Sequence, residues 1–303
     1  MRLSAKALRV RAAEAREHYL RCDLCGHFCL VDRTRGPAGR CHEGDGVFLA
    51  SAGVHLGEEP PLVGPAEGPR HGSGLVLIGG CNLACKSCET FDFSLERRGL
   101  VPASEAQLAG LFLDLEKKGA ANLNLVTPTH VMPALLAGLA RAAEAGFALP
   151  VVWNCGGYES VEALRLLDGV VDIYLPDAKY GDDALGLLLS GCLGYTGALA
   201  ASLREMVRQT GPLQTQGGLA TRGVIVRHLI LPNGQAAPEK LMPLVAEISR
   251  DLWLNLLTQY RPLHQARLLP LLARTPTRAE VEEALQAARS AGLRNLFLDG
   301  KPA

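Results

Sequence analysis

The sequence carries no excess of charge: 31 lysines and arginines balance 31 aspartates and glutamates. No overall field therefore draws it to nucleic acid or to an anionic membrane. It also lacks any apolar run near the roughly 18 residues of a membrane span. Its first residues, MRLSAKALRVRAAEAREHYL, have neither the apolar core nor the small-residue cleavage site of a signal peptide and read as an amphipathic helix. These absences predict a soluble, cytoplasmic protein with neither nucleic acid nor membrane as a partner. Repeats of fixed period and low-complexity tracts are missing as well. At 303 residues the chain can bury a large core without disulfides. In a reducing compartment its nine cysteines, odd in number and clustered, are better explained as metal ligands.

Composition changes along the chain. A cysteine-rich stretch (22–41) and a Pro/Gly-rich connector (57–74) make the first third irregular apart from its helix. Beyond residue 74, apolar runs at 74–79, 122–126, 150–154, 171–176, 223–230 and 252–257 alternate with segments of helical period. Ser104 caps one such helix, with Gly119 ending it, and Thr277 with Glu280 forms a capping box for another. Six strands each followed by helix predict an α/β fold with a parallel sheet, closed as a barrel or partial barrel or left open. The run NLFLD (295–299) adds a candidate edge strand. The domain boundary falls between residues 73 and 74.

Cys81, Cys85 and Cys88 stand in a C-x3-C-x2-C pattern at the end of the first of these strands. Short spacings of this kind let one loop wrap an iron–sulfur cluster, and three ligands on a cubane leave one iron open to substrate. A zinc site completed from elsewhere, or simple burial of the thiols, is the plainer alternative. At the strand ends, where barrel enzymes place their active sites, the chain supplies Thr127, Thr129, Asn154, Asp177, Lys179, Arg227, Gln259 and Tyr260.

GGCNLACKSC followed by six β/α units resembles the radical S-adenosylmethionine (SAM) superfamily. The strings CDLCGHFC, LGEEPPL, NLVTPTH, WNCGGYE, YLPDAKY, VRHLILPN and LTQYRP narrow the likeness to the PflX-like branch, similar to pyruvate formate-lyase activating enzymes. The resemblance implies a partial parallel β/α barrel in which Cys81, Cys85 and Cys88 ligate a 4Fe-4S cluster whose open iron chelates SAM. It implies further that Asn154, Asp177, Lys179 and Arg227 bind SAM, with backbone groups of Val126 and Thr127 meeting the methionyl amine. Gln259 and Tyr260 line the rim. A reductant such as flavodoxin or ferredoxin and a protein substrate, activated at a backbone glycine, are the implied partners. Radical chemistry on a small molecule or another protein side chain is the alternative.

Two departures stand out. The second-strand GGE is replaced by VTPTH, so Thr127 or Thr129 must serve the SAM ammonium. Ser87 occupies a position usually aromatic, leaving Phe91 or Phe93 to meet adenine.

Cys22, Cys25, Cys29 and Cys41 form a second set, C-x2-C-x3-C-x11-C, with Gly26, Gly36 and Gly39 at tight bends and His27 and His42 in reserve. Four thiolates saturate a zinc or an auxiliary iron–sulfur cluster, and the sequence leaves that choice open. Cys155 and Cys192 read as small buried thiols, His130 and His228 as structural. Glu58 and Glu59, beside Pro60 and Pro61, read as a solvated loop. A non-catalytic zinc-binding interaction protein is a lesser rival. A doubly wound dinucleotide enzyme is a weaker rival still, since the glycines of GSGLVLIGG precede or end the strand and do not open a helix with G-x-G-x-x-G.

Overall fold

The computed structural model describes residues 3–303. Helix α1 (Ala5–Glu17) starts at Ser4, whose hydroxyl accepts from the Ala7 N–H, and turns Leu8, Ala12 and Ala15 inward. There follow β1 (Val47–His55), the short α2 (Pro60–Val63), β2 (Ser73–Ile78), α3 (Phe91–Ser94) and β3 (Val101–Ala103). Next come α4 (Glu105–Lys117), β4 (Leu123–Val126), α5 (Met132–Glu144), β5 (Val151–Cys155), α6 (Val161–Leu166) and β6 (Ile173–Pro176). The chain continues with α7 (Asp183–Ser190), α8 (Tyr195–Thr210), β7 (Gln214–Gln216), β8 (Leu219–Leu229) and α9 (Pro238–Ile248). It ends with β9 (Trp253–Leu257), α10 (Arg278–Ser290), β10 (Asn295–Leu298) and β11 (Lys301–Pro302).

All the strands join one mixed sheet. Its parallel body runs β10-β9-β8-β6-β5-β4-β2, with β1 and β3 added antiparallel beyond β2, β11 beyond β10, and β7 beside β8. Every predicted strand is present, and NLFLD supplies β10 at the edge of the parallel body. Ser104 caps α4 as expected, with Gln107 completing a capping box, and the predicted capping box of Thr277 with Glu280 forms. The first third is not irregular as expected. Its segment VFLASAGVH is β1, whose Ala, Ser and Gly blur the alternation that marks a strand, and it covers an edge that would otherwise be open.

The sheet has two apolar faces, as a parallel sheet requires. Val76, Leu125, Trp153, Tyr174 and Leu254 face the helices. On the other face Val152, Ile173, Leu175, Ile225 and Trp253 gather around Leu62 of α2. That helix packs on β8, while Asn122, just before β4, donates to the Leu62 carbonyl at 2.7 Å. In a flat sheet β4 and β8, three neighbours apart, would lie about 14 Å from each other. The sheet must therefore curl around α2, which closes one end of the hollow.

Leu62 is fully buried in that plug. Leu62→Ala is expected to lower stability by about 2–5 kcal/mol in urea unfolding, whereas the exposed Leu271→Ala should change it by less than about 0.5 kcal/mol.

Candidate functional site

The three-cysteine loop leaves β2 through Gly79 and Gly80. Gly80 has φ +79°, and a Cβ there would strike the Glu43 carboxylate and the ring of His130, so only glycine fits. The loop is then pinned by backbone bonds: Ala84 N–H donates to Ser190 O at 3.1 Å and Lys86 N–H to Leu189 O at 2.8 Å. Cys81, Cys85 and Cys88 are half-buried. Each sulfur meets a donor. Leu83 N–H points at Cys81 Sγ (3.3 Å) and the Ser190 hydroxyl at Cys85 Sγ (3.0 Å). The hydroxyls of Ser94 and Thr90 lie 3.2 and 3.5 Å from Cys88 Sγ.

Burial pushes the Cys81 and Cys85 thiols up; the neighbouring cysteines add to the shift and Lys179 opposes it. Among the described residues no three Cys, His, Asp or Glu side chains stand in metal-holding geometry. The donor set nevertheless suits an iron–sulfur cluster. It places three sulfurs on one loop, provides N–H or O–H groups for thiolate charge, and brings a cation nearby.

Beside this loop the strand ends build a charged network. Arg227 Nε donates to Asp177 Oδ1 at 2.8 Å and its terminal nitrogen to Asn154 Oδ1 at 2.6 Å. Lys179 Nζ donates to Asp177 Oδ2 at 2.7 Å. Burial alone would push the Asp177 carboxyl up, but Arg227 and then Lys179 hold it down at about 2. Burial works against the charge of Lys179 too, yet Asp177 keeps its ammonium well above the ordinary range. The two halves of the site meet at Gly156, where a side chain would run into Leu83 of the cysteine loop and lie 3.8 Å from Lys179 Cε.

Tyr195 of α8, which sequence reasoning passed over, fixes the backbone here. Its oxygen accepts from Lys179 N–H at 2.8 Å and lies 3.0 Å from Gly156 O and 2.9 Å from Asp177 O.

Other expected residues are placed differently. Thr127 has φ +55°, an outlier for a β-branched residue, and its N–H already donates to Asn154 O at 2.9 Å. It adjoins half-buried Val126 at the end of β4. Thr129 turns away from the network and donates to the buried Glu159 at 3.1 Å. Gln259 is exposed. Tyr260 is buried in the core on the helix side, its hydroxyl donating to Leu272 O at 2.8 Å, so the rim position expected for it is not where it sits. Phe91 stacks on His264 with ring centres 4.9 Å apart.

A larger correction concerns Glu58 and Glu59. Instead of forming a solvated loop, they enter the hollow just before α2. Glu58 accepts from Asn124 Nδ2 at 3.2 Å and lies 4.0 Å from Arg227. Glu59 is 5% exposed and accepts from Asn255 Nδ2 at 3.2 Å. The run of prolines hid this, because its commonest setting is solvent.

The four N-terminal thiols are electrostatic neighbours: burial raises Cys25 and Cys41, and Cys22 and Cys29 raise both further. Gly36 and Gly39 make left-handed bends, but Gly26 is required for another reason, since a Cβ there would lie 2.8 Å from the Tyr158 ring. His27 is engaged with Asn82 O at 2.9 Å. Arg33, fully buried under Tyr19, ties the stretch to the turn after β4 by donating to Glu43 O (2.9 Å), Gly44 O (2.6 Å) and His130 O (2.7 Å).

No protein-family model matches the chain. It is 29% identical over 288 residues to an uncharacterized protein of Methanocaldococcus jannaschii, covering 92% of this chain and 77% of that one. Among solved structures it is similar to Streptococcus suis SuiB bound to precursor peptide SuiA, at 9% identity and a TM-score of 0.49 over 72% of this chain. It spans 46% of the SuiB chain. Among the described residues no single helix is long and apolar enough to cross a membrane.

Asp177 makes the metal-free protein sensitive to acid. Its pKa is depressed from 3.8 to about 2, so its contribution, on the order of 2 kcal/mol, is present above pH ~4 and lost as pH falls through about 2. Urea midpoints measured from pH 5 to 2 should fall further in the parent protein than in Asp177→Asn, which keeps the acid sensitivity of other carboxylates held down by their partners, such as Asp182 and Glu205. The variant should already be weaker at neutral pH by roughly 3–5 kcal/mol, since Lys179 loses its carboxylate and Arg227 keeps only Asn154 and the more distant Glu58.

Proposed function

We propose that this chain is a radical SAM enzyme built on a partial parallel β/α barrel, with Cys22, Cys25, Cys29 and Cys41 forming an N-terminal metal module that takes zinc or an auxiliary iron–sulfur cluster. The observation that carries this reading is the meeting of the Cys81–Cys85–Cys88 loop and the Asn154–Asp177–Lys179–Arg227 network across Gly156. In it the three thiolates hold a 4Fe-4S cluster and the network binds SAM.

When bound, that cluster and SAM together supply the 5'-deoxyadenosyl radical that removes a hydrogen atom from the substrate. This chain's residues do the rest. The Leu83 N–H and the hydroxyls of Ser190, Ser94 and Thr90 support negative charge on the sulfurs. Asp177 and Asn154 offer acceptors for hydroxyl and ammonium groups, and Lys179 and Arg227 offer donors for a carboxylate. Tyr195 holds the strand ends in register with one another. The electron comes from a donor of the flavodoxin or ferredoxin class. The acceptor of the radical is a backbone glycine of a partner enzyme on the activating-enzyme reading, and a small molecule or a side chain on the other. A non-catalytic zinc protein has no use for a charged network at the strand ends.

Anaerobic reconstitution with iron and sulfide, reduction, and assay of 5'-deoxyadenosine from SAM test the proposal. The parent chain should form the product, and the variant with Cys81, Cys85 and Cys88 all changed to Ala should not. Asn154→Leu should raise the KM for SAM about 10- to 100-fold, the worth of one charge-assisted hydrogen bond. A chain that takes up only zinc and leaves SAM intact would overturn the assignment.

A further inference from the structure

Three carboxylates, Glu58, Glu59 and Asp177, share the hollow with the permanent cations Arg227 and Lys179. Arg227 donates to Asp177 and Asn154 and Lys179 to Asp177, and neither donates to Glu59. Glu58 is well supplied, with Asn124 at 3.2 Å, Arg227 at 4.0 Å and, on its other oxygen, His55 at 3.5 Å. Glu59 is not. Asn255 serves one oxygen, while Oε2 is buried with no hydrogen-bond partner. The side-chain carbonyl of Asn124, fully buried on the wall of the same hollow, also has no partner.

A buried acceptor left unmatched is unfavourable; Arg227 places positive charge near Glu59, but no hydrogen bond reaches Glu59 Oε2. Both orphans are acceptors, so the missing partner is a donor. The excess of carboxylates asks that this donor be positive.

Exposure gives the direction of approach. Side-chain exposure falls from 27% at Asp177 to 17% at Arg227 and 12% at Glu58, and Glu59 is 5% exposed. The hollow thus opens at the strand ends and closes at Leu62.

We propose that the hollow binds a primary ammonium or guanidinium group, held by Glu59 and Asn124 with Glu58 adding negative charge. That the bearer of this group is the substrate of hydrogen abstraction rests on the proposed function; the binding itself does not. The cation can belong to a small amine or to a lysine or arginine side chain of a peptide.

Thermal unfolding of the metal-free chain tests binding without any cluster. Butylammonium chloride should raise the midpoint by roughly 2–4 °C at ~10 times its Kd, while butanol and equimolar sodium chloride should not. In Glu59→Gln the shift should vanish, and in Glu58→Gln it should shrink, which keeps the test decisive if the first variant folds poorly. A parallel series with acetyl-Gly-Lys-Gly-amide separates the sources. A larger shift with the peptide assigns a peptide side chain, and a shift with butylammonium alone assigns a small amine. Equal shifts with butanol or salt, or an undiminished shift in both Gln variants, would overturn the proposal. So would no shift with either amine, which would mean that Glu59 is satisfied by its own proton.

Discussion

The ion pair between Arg227 and Asp177, inside the curl of a parallel sheet, is the constraint on which the rest of the site depends. A guanidinium and a carboxylate withdrawn from water remain charged only if every nearby group compensates them. The surroundings follow from that demand. Asn154 takes the second arm of Arg227, Lys179 takes the second oxygen of Asp177, and the segment before α2 places further negative charge below. Tyr195 then locks the backbone on which Asp177 and Lys179 sit. Each contact lies on an inward-pointing position or just past a strand end, so the pleat of the sheet decides which residues can take part.

The same arrangement couples the site to segments far away in sequence. Residues 57–63 reach β4, β8 and β9 through Glu58, Glu59 and Leu62, and hold the curl from within. The cysteine-rich N-terminal stretch is held by Arg33, whose buried guanidinium satisfies carbonyls on both sides of the contact and reaches the turn after β4. That turn supports Gly79, through the ring of His130 at 2.9 Å, directly ahead of Cys81. A change in the first cysteine stretch therefore has a short mechanical route to the second.

Much of the scaffold was legible because its signals are local. Apolar runs such as VVWN and LWLNLL mark buried parallel strands, and Ser104 and Thr277 mark helix starts. β1 escaped because Ala, Ser and Gly blur its alternation. The contents of the hollow were less legible, since they depend on distant pairings. Nothing near Glu59 in sequence announces Asn255, and nothing near Tyr195 announces Asp177 and Lys179. Tyr260 misled in the opposite way. Following a strand suggested the rim, but its ring gains more by burial against the helix side, with Leu272 O to receive its proton. Thr129 likewise found a nearer partner in Glu159 than any ligand.

The proposed function requires that Cys81, Cys85 and Cys88 hold an iron–sulfur cluster with one position open to SAM. The electron paramagnetic resonance spectrum of the reconstituted, reduced protein, recorded with and without SAM, tests this directly. A cluster signal whose g values change on adding SAM is expected, and no such change when those three cysteines are replaced. A spectrum with no component that shifts on adding SAM, or a SAM-induced shift that survives the replacement, would contradict the proposed function.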